Sequence, residues 1–281
     1  MEADRIITLK DRACVTVRGE DWRGFLQGLL TNDVEALAVG EARFAALLTP
    51  QGRVLYDLFV VAEEGGALLD VEAEWRDALI ARLMMYRLRA KAEIRADDRP
   101  VCSFFTAHPR EGGDPVGRAD GPPPSRGQSE VWVADPRLPE LGWRGYGMDG
   151  DENPAAYETH RLTLGVPGPN DWGTDKTYPI EANFDLLNGI DFSKGCFVGQ
   201  ETTSRMKRRG SIKSRMLPIA FEGPPPPPGT EILAGTLRAG EVLSGMEGRA
   251  MALVRLDRIE GAELAAVGRA VRVDWPNWLP R

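Results

Sequence analysis

The sequence predicts an α+β fold followed by a small C-terminal β domain, a barrel or a sandwich, and three observations carry that prediction. The first hundred residues alternate as strand, strand, helix, strand, with one helix for each pair of strands, which is not the regular alternation of a parallel α/β sheet. No G-x-G-x-x-G follows a strand, and no Walker A run occurs. After Arg215 the pattern changes to short β segments separated by glycines, the signature of a small barrel or sandwich. The expected division is therefore an α+β region over residues 1–215, with two interleaved subdomains as one reading of it, and a barrel or sandwich over 216–281.

The elements follow in order. Residues 6–9 and 13–17 alternate as strands. Trp22, Phe25, Leu26, Leu29 and Leu30 recur at helical spacing and stop at Thr31-Asn32-Asp33. Gly24 and Gly28 inside that helix predict a closely packed neighbour. Phe44 to Leu48, Thr49-Pro50-Gln51-Gly52 and Arg53 to Val61 form a hairpin, since proline presets the turn and glycine supplies its positive φ. Asp57 interrupts the second strand, and it either faces water or points into a polar pocket. A strand over 67–71 follows. Trp75, Leu79, Ile80, Leu83, Met84, Tyr86 and Leu88 outline a second amphipathic helix, and 91–96 returns as a strand. Residues 108–130, rich in Gly, Pro, Arg and Asp, read as a long inserted loop. Asn153-Pro154 starts a helix carrying Tyr157, Arg161 and Leu164, which Gly165 and Pro167 end. A short helix is expected between Pro179 and Gly189. Barrel segments are expected at 216–221, 231–233, 241–244, 250–256 and 270–273.

The stretch that carries chemistry is Lys194-Gly195-Cys196-Phe197-Val198-Gly199-Gln200-Glu201. Two glycines place Cys196 on a loop, and a helix from Gln200 to Gly210 puts it just ahead of a helix N-terminus, where amide dipoles and Lys194 favour thiolate. A reactive thiol follows; the competing reading is a small buried filler. Arg205, Lys207, Arg208, Arg209, Lys213 and Arg215 form a basic cluster with no acid after Glu201. It suits an anionic ligand, or is a solvated helix face.

At 281 residues with a net charge of −7, the chain is not a general nucleic-acid coat. Cys14, Cys102 and Cys196 are far apart and odd in number, so they form neither a disulfide framework nor a zinc site and fit a reducing compartment. His108 and His160 are the two histidines, and their spacing suggests no metal site. No N-terminal apolar stretch is long enough for a signal peptide, and none elsewhere for a membrane span. The expected location is cytoplasmic.

The octet 194–201 resembles the K-G-C-[FY]-x-G-Q-E signature of the YgfZ family, folate-binding relatives of the glycine-cleavage T-protein. Residues 25–34, 46–53 and 160–167 resemble further blocks of that family in the same order. The resemblance implies a folate-binding, aminomethyltransferase-like region with a C-terminal barrel around a central channel, taking tetrahydrofolate or a one-carbon derivative. It also implies a role in assembling or repairing iron–sulfur proteins, and through them in tRNA modification, so iron–sulfur assembly or client proteins are the implied partners. Cys196 matches the signature thiol, and Asp57 falls where T-proteins carry the aspartate of one-carbon transfer. Lys194, Gly195, Gly199, Gln200 and Glu201 match the thiol's neighbours, which shape the loop; with Arg161 and Arg205 they are the implied cofactor contacts. T-proteins show R-x-E-x-G where this chain has Arg161-Leu162-Thr163-Leu164-Gly165, and Thr163 offers no carboxylate to a pterin. A folate-dependent aminomethyl or formyl transferase using Asp57, and an RNA-binding module using 205–215, are the alternative readings.

Overall fold

The computed structural model describes residues 5–105, 121–123, 130–210 and 212–280. His108, most of the inserted loop expected at 108–130, and the side chain of Arg209 lie outside the described residues. The contacts divide the chain into two units: Met1–Leu48, Tyr56–Tyr157 and Leu187–Val198 form the first, and Thr49–Leu55, Glu158–Leu186 and Gly199–Arg281 the second.

In chain order the first unit is built from β1 (Arg5–Thr8), β2 (Arg12–Arg18), α1 (Trp22–Gln27), β3 (Ala42–Leu48), most of β4 (Val54–Glu63), β5 (Gly66–Glu72), α2 (Arg76–Arg87), β6 (Glu93–Asp97), β7 (Val101–Phe105), β8 (Val131–Ala134) and β9 (Trp143–Tyr146). The strands make a five-stranded sheet ordered β3-β4-β5-β2-β6 and a four-stranded sheet ordered β1-β7-β9-β8. Alternating apolar residues form the core between them, including Ile7, Val61, Leu68, Val101 and Tyr146.

That core also holds charge. Asp70 on β5, fully buried, accepts from Arg12 Nε at 2.7 Å, Arg144 Nη2 at 2.5 Å and Tyr146 Oη at 3.1 Å. Arg137 pairs with Asp135 at 2.7 Å and donates to Tyr157 Oη at 2.8 Å. The guanidiniums of Arg144, Arg137 and Arg12 surround the ring of Phe59 at 3.8, 4.8 and 5.5 Å from its centroid. Burial pushes the Asp70 carboxyl up, but Arg12 and Arg144 more than offset this and hold it below the usual carboxylate range.

In the second unit β10 (Ser214–Ala220), β11 (Glu231–Ala234), β12 (Leu237–Met246), β13 (Arg249–Arg255), β14 (Leu264–Ala266) and β15 (Arg269–Val273) close a barrel ordered β10-β13-β12-β11-β14-β15. Pairing of Ile219 with Val273 closes it, and register shifts at Ile232/Leu233 and Val242/Ser244 supply the curvature. Leu217, Ile219, Ile232, Val242 and Val254 fill the interior.

Several expectations change. Residues 179–189 form turns, not a helix. Asn183 takes φ 62° and donates to Met216 O, while Arg215 reaches Ile180 O, Asn183 and Asp185, so the segment follows the barrel's first strand rather than its own helical ladder. A Cβ at Gly24 would meet nothing, so no neighbour packs closely there. On α2, Leu79 and Leu83 are buried but Met84 faces water, and Leu88, expected on the helix, follows its end and is exposed. The three-residue strand β14 was too short to show a period.

Asp70→Ala should destabilise the protein by about 3–5 kcal/mol, because it leaves two buried guanidiniums without their shared carboxylate. A shift in the urea unfolding midpoint measures this, and a midpoint near wild type would count against the network's structural role.

Candidate functional site

Lys194 is held by backbone alone. Its Nζ donates to Gln27 O at 2.7 Å, Leu30 O at 2.6 Å and Asn32 O at 3.0 Å, and lies 5.4 Å from the centre of the buried Phe197 ring. Gln27 ends α1, so the ammonium sits where helix carbonyls lack intrahelical donors. Three N–H groups meet three acceptors, leaving none for a ligand. Burial pulls this lysine down to about 8, against the opposing charges of Asp33 and Asp191. The same segment is fastened at further points: Thr31 Oγ1 donates to Gly189 O at 2.6 Å, Asn32 Nδ2 to Asn188 O at 2.6 Å, and Asp191 N to Thr31 O at 3.0 Å. Asp191 Oδ1 then accepts from Ser193 N at 2.7 Å and Lys194 N at 3.3 Å. Thus residues 27–34 form the seat of the cysteine loop.

Gly195 and Cys196 are exposed above that seat. Cys14 and Cys102 are buried, and burial pushes the Cys102 thiol up to about 12 and that of Cys14 further. The buried-filler reading of Cys196 therefore fails.

Asp57 lies in a separate network of the same unit. It is 3% exposed, and its Oδ2 accepts from Arg12 Nη1 at 2.8 Å, so it points into the charged core rather than to water. Its Oδ1 makes no hydrogen bond among the described residues. Glu72, opposite Arg12 across the β2–β5 ladder, is half-buried; burial first, then the charge of Asp57, push it up to about 7. Sequence reasoning missed Arg12, Asp70 and Glu72. The available signal was two acids two residues apart, on one face of an otherwise apolar strand.

The remaining expected residues belong to the second unit. Gln200 opens α4 (Gln200–Arg209), between Gly199 and Gly210, both left-handed at φ 79° and 63°. Glu201 and Arg205 are exposed on this helix. The hairpin turn packs on its start: at Gly52, with φ 85°, a Cβ would stand 2.9 Å from Thr202 Cβ and 3.1 Å from Gly199 O. Arg161 is buried in α3 (Pro154–Thr163) and donates to Glu158 at 2.5 and 2.8 Å, Val166 O at 3.1 Å and Asp171 at 2.9 Å, which holds the loop after the helix. The basic cluster is not uniformly free: Arg215 is buried on Asp185 and Lys207 lies 3.6 Å from the same carboxylate. Among the described residues no group of three or more His, Cys, Asp or Glu could hold a metal ion, and no helix is long and apolar enough to cross a membrane.

These residues fit a folate in part. In the first unit, Asp57 keeps an oxygen able to accept from a ligand N–H. Lys194 and Arg161 are consumed by the protein itself.

Known structures share the fold. Aminomethyltransferase T of the glycine cleavage system from Bartonella henselae superposes with a TM-score of 0.77, at 18% identity, over 98% of this chain and 86% of that one. Residues 213–281 match the family model of the CAF17 C-terminal β-barrel domain. The protein thus has an aminomethyltransferase-like fold with a C-terminal six-stranded barrel. Its sequence is 31% identical to the human mitochondrial iron–sulfur cluster assembly factor IBA57 over 97% of this chain and 84% of that protein, and 30% identical to the mouse one over the same shares. It is 31% identical to the Neurospora crassa homologue, of which it spans 54%. The chain belongs to the IBA57 family, of which YgfZ is the bacterial relative. The expected cytoplasmic location is overturned, since these relatives are mitochondrial proteins. A search for apolar stretches detects secretory signals, whereas mitochondrial transit peptides are amphipathic and arginine-rich.

Two outcomes follow. Lys194→Met should cost about 1–3 kcal/mol, since three carbonyls lose their donor, and should speed proteolysis between 189 and 199; unchanged stability and cleavage would remove the anchor role. Glu72 should titrate near pH 7 by carboxyl NMR and fall toward its ordinary value in Asp57→Asn. Because the folded state holds that proton above the ordinary 4.5, Glu72's contribution to stability is present at low pH and lost as pH rises through about 7. A Glu72 unaffected by Asp57→Asn would contradict the coupling.

Proposed function

We propose that this protein is an iron–sulfur cluster assembly factor whose working group is Cys196. The observation that carries the reading is an exposed thiol on a loop seated by Lys194 on residues 27–32, while the chain's other two thiols are buried and cannot take its place. The relatives, named as iron–sulfur cluster assembly factors, support this reading. The cluster is cargo. One thiolate supplies one ligand where an iron–sulfur cluster takes several, so the cargo is shared with a partner chain that supplies the rest.

Tetrahydrofolate or a one-carbon derivative is the small molecule we assign to the Asp57 side, where the unbonded Oδ1 accepts an N–H. Bound there, the folate would supply one-carbon chemistry. This chain's contribution is a carboxylate fixed by Arg12, with Glu72 able to hold a proton near neutrality. An effect on tRNA modification would follow indirectly, through clients that carry clusters.

The test is reactivation of a cluster-depleted client enzyme with an iron–sulfur donor, alongside calorimetric titration of tetrahydrofolate. Cys196→Ala should lower client reactivation at least about tenfold while leaving folate binding unchanged. Asp57→Asn should weaken folate binding and retain most reactivation. The reverse pattern, with reactivation surviving in Cys196→Ala and lost in Asp57→Asn, would sink the assembly reading in favour of a transferase.

A further inference from the structure

The end of α2 presents an apolar and cationic face that neither the thiol loop nor the Asp57 network uses. The helix packs on β6 and β2, with Leu79 and Leu83 buried. Beyond that stripe Met84, Met85 and Leu88 stand 44, 70 and 85% exposed. Leu88 also takes φ 46°, the left-handed region that disfavours any residue with a Cβ. A leucine held in water by an unfavourable backbone is poorly explained by folding alone. Three arginines flank these side chains. Arg82, Arg87 and Arg89 make no ion pair or side-chain hydrogen bond among the described residues, while their neighbours Arg76 and Lys91 are paired with Asp98 and Glu20. The face is thus locally cationic in a chain of net charge −7.

We infer that this face docks an acidic, amphipathic segment of a partner protein, with carboxylates on Arg82, Arg87 and Arg89 and an apolar side chain on Met85 and Leu88. Guanidinium forks match carboxylates in two-point geometry, and methionine adapts to irregular apolar partners. An anionic bilayer is the poorer occupant. It would face a broad side of a negatively charged protein, and the three exposed apolar residues include no aromatic anchor. A protein segment meets only the local field, within a Debye length of about 8 Å. This inference does not rest on the role proposed for Cys196.

The test uses fluorescence anisotropy of a labelled 14-residue peptide with glutamate and leucine at helical spacing. A glutamate-only peptide and vesicles of phosphatidylcholine with phosphatidylserine are the comparison probes. The glutamate–leucine peptide should bind saturably and weaken at least about threefold between 50 and 300 mM NaCl. Met85→Asp should weaken it at least about fivefold, as should Arg87→Glu. Leu88→Gly separates docking from folding, because glycine suits the backbone: Tm should hold or rise while binding falls at least about fivefold. The inference is overturned if no probe binds, if the variants bind as wild type, if the glutamate-only peptide binds equally well, or if vesicles bind through these same residues.

Discussion

Asp70 is the carboxylate on which the first unit depends. It sits on the five-stranded sheet and collects Arg12 from the same sheet, with Arg144 and Tyr146 from the other, so the two layers are joined by ion pairs as well as by apolar packing. Three arginines and three aspartates, Asp57, Asp70 and Asp135, balance in a space walled by Phe59. Such a network adds little stability over apolar packing but is costly to leave incomplete, so each member constrains the others. Asp57 inherits its fixed position from this constraint, through Arg12.

The thiol loop is organised by a different principle. Its anchor is one ammonium meeting carbonyls left over at a helix end, and the helix ends there because residues 28–34 turn away to pair with β3 through Leu30 and Thr31. Cys196 therefore stands at the exposed crest of a segment whose base is immobilised at Thr31, Asn32, Asp191 and Lys194. Presentation of a thiol to a second protein needs both properties: access at the tip, and low conformational freedom beneath it.

Much of this was legible in the sequence. The strands of the five-stranded sheet announced themselves by alternation and α4 by the glycines at both its ends, whereas β7, β8 and β9 were not read. The hairpin at 49–52 carried its own turn chemistry. What the sequence did not show were long-range polar partners. Lys194 reads as a cation favouring the Cys196 thiolate until the carbonyls 162 to 167 residues away are in place, and Arg215 reads as part of a basic run although it is buried against Asp185. Residues 179–189 look helical by composition, but hydrogen bonds to the barrel strand override local preference there. Asp57 was undecidable for the same reason, since its orientation depends on Arg12.

Cys196 is the one thiol this fold presents, the other two being buried. Timed alkylation of the native protein with iodoacetamide, read peptide by peptide, tests it directly. Rapid modification of Cys196 alone is expected, with Cys14 and Cys102 labelled only on unfolding, and protection of Cys196 when a cluster donor is present. Comparable labelling of the buried thiols, or a Cys196 that stays unmodified in the native protein, would contradict it.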